Sequence, residues 1–209
     1  MPRWKIFRLT LTAILTALVV ILQFVSNISS AFLPVSITLT LVPVVIGAVS
    51  CHPLVGAWLG FVGGVTILLT GAGEPFFTFN PAATIFIVLL KGILSGLAAG
   101  YISRFLRRNR TVSIFAAAAI APIINTGIFF VGCSMFFMEL VSEWAGSQNV
   151  AIYMFTALAG INFVLEFAFN IILAPTIKRI LDVSILRDYN QHKKEMREEY
   201  IQRKRGDII

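Results

Sequence analysis

Six apolar stretches, five of them near the length that crosses a lipid bilayer, constrain this chain more than any other feature of its sequence. A membrane-spanning helix needs about 20 predominantly apolar residues because the hydrocarbon core is roughly 30 Å thick. The stretches cover about 7–25, 38–50, 54–70, 83–103, 112–137 and 151–177. Only 13% of the 209 residues are charged, against about 25% in soluble domains. The sequence therefore predicts an all-α integral membrane protein, a bundle of six transmembrane helices.

Two of these stretches allow more than one interpretation. The second is short for a full crossing, and a tilted helix, a partly interfacial helix and an extension through Val35–Leu41 all remain open. The first follows a basic start and precedes the small residues Ser29, Ser30 and Ala31, a pattern also found in cleaved signal peptides. Its apolar run is longer than the 7–15 residues usual for such peptides, so we interpret it as a spanning helix.

The placement of the basic residues predicts the orientation of the bundle. The net charge is +7, and Lys and Arg cluster at the N-terminus, at 104–110 and at 178–205. With six crossings and an internal N-terminus, all three clusters lie in the cytoplasm, as the positive-inside rule requires, and only Lys91 falls elsewhere. We expect one transmembrane domain at 1–181, a charged cytoplasmic tail at 182–209, both termini inside, and contact with lipid rather than nucleic acid.

Motifs for covalent chemistry are missing from the sequence. It contains no G-x-x-x-x-G-K-[ST] loop, no H-E-x-x-H pair and no G-x-S-x-G elbow. The aspartates all lie in the predicted tail, and neither the histidines nor the cysteines form a ligand cluster. The sequence therefore predicts a protein that is not an enzyme, with no metal site and no cofactor of its own.

Small residues recur at every fourth position on three of the apolar stretches. Two rows consist of glycine: Gly56, Gly60 and Gly64, and Gly92, Gly96 and Gly100. Such rows let helix backbones approach closely in lipid. We interpret the glycine rows as packing faces inside the bundle. Ala13 and Ala17 form a similar A-x-x-x-A face on the first stretch, and this smooth face is open to a docking partner.

Polar side chains deep in the apolar stretches predict the functional site. They are Lys91, Asn125, Asn162 and Glu166, and Asn170 continues the face of the last two because positions i and i+4 share a helix face. Burying an uncompensated charge in hydrocarbon costs at least about 2.5–3.5 kcal/mol on insertion scales, so these groups should face one another or a wet cavity. We predict a solute-binding pocket; the alternative is a structural Lys91–Glu166 ion pair that binds nothing.

The predicted outer connection at 71–81 supplies candidates for covering a solute. Its sequence, GAGEPFFTFNP, combines turn-forming residues with Phe76, Phe77 and Phe79. Anchoring of these rings at the membrane interface explains the pattern equally well. We add Phe79 and Asn80 to the candidate substrate-binding residues.

Several segments together resemble the substrate-binding S component of energy-coupling factor (ECF) vitamin transporters. They are the Ala13/Ala17 pair after a basic N-terminus, the run ITLTLVPVVIG at 37–47, and HPLVGAWLG at 52–60. The resemblance extends over about residues 5–181. Pantothenate-type S components are the most similar, through IVLLKG at 87–92, Asn125-Thr126 and GINFVLE at 160–166, although arginine is more usual in the family where Lys91 stands.

This resemblance implies a subunit of the bacterial plasma membrane that captures a vitamin, pantothenate as the best candidate, from outside. It also implies docking through Ala13 and Ala17 on a transmembrane coupling (T) subunit, import driven by two cytoplasmic ATPase subunits that use ATP, and toppling of the S component to release the solute. Lys91 would pair with the carboxylate, and Asn125 and Glu166 would bind the hydroxyls and amide. The alternatives are another vitamin such as riboflavin or folate, an autonomous secondary transporter, and a structural or signalling membrane protein.

Overall fold

The computed structural model describes residues 3–32, 39–158, 160 and 162–179, and it contains helices and short connections with no strand in these ranges. The helices are α1 (Arg3–Phe32), α2 (Leu41–Ser50), α3 (Pro53–Leu69), α4 (Glu74–Phe79), α5 (Pro81–Phe105), α6 (Arg110–Phe136), α7 (Met138–Ala145) and α8 (Val150–Tyr153), then a π-helical segment (Met154–Leu158) and α9 (162–179). The prediction of an all-α protein is confirmed over these ranges. The chain divides into two units, Met1–Ala174 and Pro175–Ile209. The predicted tail at 182–209 lies outside the described residues.

Four helices are long and apolar enough to cross a membrane. They are Arg8–Asn27, Pro81–Phe105, Arg110–Phe136 and Val150–Arg179, and they coincide with the first, fourth, fifth and sixth predicted stretches. The helices α2 and α3 have 10 and 17 residues, which gives lengths of about 15 and 25 Å at a rise of 1.5 Å per residue. The proposed extension of the second stretch at 35–38 lies outside the described residues. The count of six crossings and the sidedness of the termini stay predictions.

The two glycine rows bring α3 and α5 into backbone contact. Gly56 faces Gly96 and Gly60 faces Gly92, and a methyl group added at any of the four would overlap backbone atoms of the opposite glycine. The paired positions rise on one helix as they fall on the other, so the helices are antiparallel. Close approach of this kind supplies van der Waals contact where lipid offers no hydrophobic drive for association. The prediction that the glycine rows are packing faces is confirmed.

Hydrogen bonds join further pairs of helices. Asn27 Nδ2 on α1 donates to the carbonyl oxygen of Thr70, the residue after α3, at 2.8 Å. Ser113 Oγ on α6 donates to the carbonyl oxygen of Ser103 on α5, also at 2.8 Å. A polar group that leaves water without such a partner is destabilising, so each bond favours one arrangement of its two helices.

Two clusters of buried apolar side chains pack between these helices. Leu15 and Val19 of α1 pack with Val44 of α2 and Leu59 of α3, all at 4% exposure or less. A second cluster joins α5, α6, α7 and the segment after α8, and it includes Ile87, Cys133, Val141 and Met154. The region between the two clusters holds the cavity described next.

Candidate functional site

A cavity of about 370 Å³ lies among α1, α2, α3, α4, α5, α6 and α9. Its volume falls within the roughly 300–1,000 Å³ of small-molecule sites. The walls are mostly apolar, with Val44, Ile87 and Phe163 among them, and a few polar side chains interrupt them. An apolar pocket with a few convergent polar groups is the usual form of a binding site for a small solute.

Four predicted substrate-binding residues line this cavity. Lys91 comes from α5, Asn125 from α6, and Asn162 and Glu166 from α9. The last two share a helix face because they are four residues apart. The π-helical segment Met154–Leu158 precedes them on the same span, and π-helical turns frequently occur next to functional sites. The structure therefore brings these four side chains together, and their role in binding stays a prediction.

The two charged residues of the cavity have different neighbours. Lys91 Nζ lies 5.2 Å from the centroid of the Phe129 ring, within the ~6 Å range of cation–π attraction. Glu166 is 6% exposed, and its Oε2 accepts a long hydrogen bond of 3.4 Å from Asn125 Nδ2. The structural alternative, a Lys91–Glu166 ion pair that binds nothing, stays untested.

Two buried amide oxygens at the cavity have no hydrogen-bond partner in the described part of the chain. They are Gln23 Oε1 and Asn162 Oδ1, and both residues line the cavity. An unsatisfied buried polar atom costs about 1–3 kcal/mol, so its retention calls for an explanation. Sequence reasoning missed Gln23. The available signal was an amide within the otherwise apolar run ILQFV of the first stretch.

Phe79 and Asn80, the other two predicted substrate-binding residues, lie outside the cavity lining. Asn80 Oδ1 accepts a hydrogen bond from the backbone N–H of Ala83 at 3.1 Å and so caps the N-terminus of α5. Pro81 at the first helical position completes a common helix start. Phe79 is 43% exposed. The structure thus gives Asn80 a structural role, while binding by either residue stays an untested prediction.

The predicted outer connection forms a short helix, α4. Gly71, with a φ of +72°, provides the turn that precedes it. Phe76 lines the cavity, and its ring makes edge contacts with Phe129, Phe137 and Trp144 at centroid distances of 5.6, 5.1 and 5.4 Å. Such pairs contribute about 0.5–1.5 kcal/mol beyond their area burial. Phe76, one of the three rings that we predicted could cover a solute, forms part of the cavity wall.

Ala13 and Ala17 are exposed on the surface of α1. Their neighbours Ile14 and Ile21 are 60% and 57% exposed, so this helix presents a smooth apolar face outward. The prediction of docking through the two alanines remains untested.

No group of three or more His, Cys, Asp or Glu residues that would hold a metal occurs in the described ranges.

Comparison with known proteins gives one family. The model of the family described as "ECF transporter, substrate-specific component" matches residues 7–178, a range that contains every residue lining the cavity. No curated protein and no solved structure matches the chain.

Proposed function

The chain belongs to the substrate-specific components of ECF transporters, and we propose that it captures a carboxylate-bearing vitamin, with pantothenate the best candidate, in this cavity. The family binds a vitamin or another small solute for transport, works with T and ATPase subunits, and is not an enzyme family. Family membership therefore gives the general function, which is to bind a small solute for transport. The chemistry of the cavity supports the choice of a carboxylate-bearing vitamin as that solute.

The observation that carries the proposal is the convergence of Lys91, Asn125, Asn162 and Glu166 from three helices on one cavity. An ammonium in a largely apolar pocket binds an anion strongly because water competes little there. Phe129 holds the Lys91 ammonium beside the cavity. Lys91 would thus bind the solute carboxylate, and the amides and Glu166 would bind uncharged polar groups.

Pantothenate fits this set of groups. It has one carboxylate, one amide and two hydroxyls, so it needs one cation, acceptors for its O–H and N–H groups, and a donor for its amide carbonyl. Asn125 and Glu166 would bind its hydroxyls and amide, and Asn162 Oδ1 offers another acceptor. Riboflavin and folate, the alternatives, carry large fused rings, whereas a cavity of about 370 Å³ lies near the lower end of the roughly 300–1,000 Å³ range of ligand pockets.

The transport cycle in this proposal follows from the family. The protein would lie in a bacterial plasma membrane with both termini in the cytoplasm and six helices across the bilayer, α3 at the lower limit of about 17 residues and α2 shorter still. Ala13 and Ala17 would dock on a T subunit, and two ATPase subunits would hydrolyse the ATP. Toppling of the bundle would then release the solute inside.

The proposal is tested by comparing pantothenate with pantothenol, in which an alcohol replaces the carboxylate. Equilibrium dialysis on the detergent-purified chain should show pantothenate binding at least about 100-fold tighter than pantothenol, the loss typical for removal of one partner of a buried charge pair. In Lys91→Met the two solutes should bind alike, while Arg107→Met, which removes an exposed cation, should behave as the wild type. Equal affinities in the wild type would exclude Lys91 as the carboxylate site.

A further inference from the structure

Gln23 lies on the inward face of α1. Leu15 and Val19 precede it at intervals of four residues and are buried in an apolar cluster, so the three side chains share a helix face. Gln23 is 4% exposed and borders the cavity. Its amide is thus placed inside the bundle, beside the proposed solute site.

Asn27, one turn further along the same face, provides an internal comparison. Its amide donates to the carbonyl oxygen of Thr70 and joins α1 to the end of α3. Gln23 Oε1, by contrast, has no hydrogen-bond partner in the described part of the chain. Asn27 has a structural explanation, and Gln23 does not.

Buried amides are almost always hydrogen-bonded, because an unsatisfied one retains its full desolvation cost. The cavity that Gln23 borders can supply such a partner. We infer that Gln23 is a further solute-contacting residue, which hydrogen-bonds an uncharged polar group of the solute, a hydroxyl or an amide. This inference rests on the proposed function, since it concerns the same cavity.

The chemistry of the side chain supports this class of partner. The terminal amide has an acceptor and a donor, and rotation about the last bond of the side chain exchanges them. Gln23 therefore binds an O–H or N–H group through Oε1 or a carbonyl through Nε2. With Lys91 as the cation for the carboxylate, Gln23 takes a group elsewhere on the solute and selects solutes that carry hydroxyl or amide groups.

The test replaces Gln23 by methionine, which has a similar length and no amide. Equilibrium dialysis with pantothenate, riboflavin and folate on the full-length wild type first identifies the retained vitamin. Gln23→Met should weaken binding of that vitamin by about 10- to 100-fold, as expected when a ligand group loses its hydrogen-bond partner in a dry site. The matched control is Gln148→Met, which changes an exposed glutamine and should leave the affinity within about twofold.

Two further measurements separate solute contact from a structural role. Without solute, Gln23→Met should unfold at the same temperature as the wild type or higher, because it removes an unsatisfied amide. An analogue of the retained vitamin that lacks the contacted hydroxyl or amide should bind the wild type more weakly than the vitamin does. Its affinity for Gln23→Met should equal its affinity for the wild type, because the contact is already absent. If Gln23→Met does not fold, Gln23→Asn, which moves the amide back by one carbon, should show a loss of at least about fivefold.

The possible failures are distinct. A wild type that retains none of the three vitamins overturns the proposed function and this inference with it. Retention by the wild type with equal affinity in the Gln23 variant overturns only the role of Gln23. A uniform loss for every analogue, accompanied by a lower unfolding temperature, would assign Gln23 to structure instead.

Discussion

Two regions that meet at α5 are built on opposite principles. Toward α3, Gly92 and Gly96 pack directly against glycine backbone, with no side chain between the helices. Toward the cavity, Lys91 shares the space with Asn162 and Gln23, whose amide oxygens have no partner in the described chain. In the glycine contact region two helix backbones pack closely and have little freedom to move. The cavity instead contains amide oxygens that have no hydrogen-bond partner in the described part of the chain. We therefore expect the first region to contribute mainly to stability, and we propose the second as the region that recognises the solute.

The adjacency of Lys91 and Gly92 connects the two regions. A glycine inside a helix is less favourable than alanine by about 0.5–1 kcal/mol, so the glycine rows are destabilising in isolation and their close packing must offset this. In return, the backbone next to Lys91 is fixed against Gly60. A charged side chain on a fixed backbone needs less ordering when a solute binds.

The largest expected effect is on the glycine contact region. In Gly60→Ala the added methyl group overlaps the backbone carbonyl of Gly92, which cannot move without displacing α5. We expect a loss of more than about 3 kcal/mol, at the upper end of overpacking effects, measured as thermal unfolding in detergent.

The control for this variant is Gly127→Ala on α6, where an added methyl group meets nothing within 4 Å. It should be as stable as the wild type or gain up to about 1 kcal/mol from helix propensity. Wild-type stability in Gly60→Ala would mean that α3 and α5 are not held by glycine contact.

The second prediction uses a cavity residue, for which affinity should change and stability should not. Asn162→Leu removes a buried oxygen without a partner, so the unfolding temperature should be unchanged or higher. The affinity for pantothenate should fall by about 10- to 100-fold because one hydrogen-bonding group of the solute loses its acceptor. Isothermal titration and thermal unfolding on the same sample check both values. A fall in stability with unchanged affinity would move Asn162 out of the site.

A third variant tests the outer face of α1, which belongs to neither the glycine contact region nor the cavity. Ala17→Trp should leave pantothenate binding unchanged and reduce the amount of T and ATPase subunits recovered with the chain by about tenfold, equivalent to about 1.4 kcal/mol of docking free energy. The matched variant Ile123→Trp lies on an exposed part of α6 and should co-purify normally. Equal recovery of both variants would exclude Ala17 from the docking surface.

The smallest effect tests Asn80. Asn80→Ala should lower stability by about 1 kcal/mol through loss of the α5 cap, whereas Asn80→Asp keeps a capping oxygen and should restore it. Both variants should bind pantothenate with wild-type affinity if the residue only caps the helix. A selective loss of affinity in both, at constant unfolding temperature, would support the original prediction that Asn80 binds the solute.

The sequence was most informative where the membrane imposes a strong penalty. A lysine, a glutamate and two amides inside apolar stretches must face a cavity or one another, and Lys91, Asn125, Asn162 and Glu166 were found around one cavity. The glycine rows were equally readable, since a spacing of four residues aligns small side chains on one helix face.

Some features of the structure could not be predicted from the sequence, and the reasons are physical. Gln23 is uncharged and lies near the end of its stretch, where lipid headgroups would tolerate an amide as well as a cavity does. The segment around Phe76 combines glycine, proline and aromatic residues typical of a loop, yet packing of that ring against three others accompanies a short helix. Asn80 followed by Pro81 is a known helix start, and its capping role was available in the sequence.

The most direct test of the account is mass spectrometry of the small molecule released from the detergent-purified full-length chain, with wild type and Lys91→Met prepared side by side from a bacterial host. The account predicts a carboxylate-bearing vitamin, pantothenate, in stoichiometric amount on the wild type and in trace amount on Lys91→Met. The same molecule in equal amount on both proteins, or a neutral or cationic solute on the wild type, would contradict it.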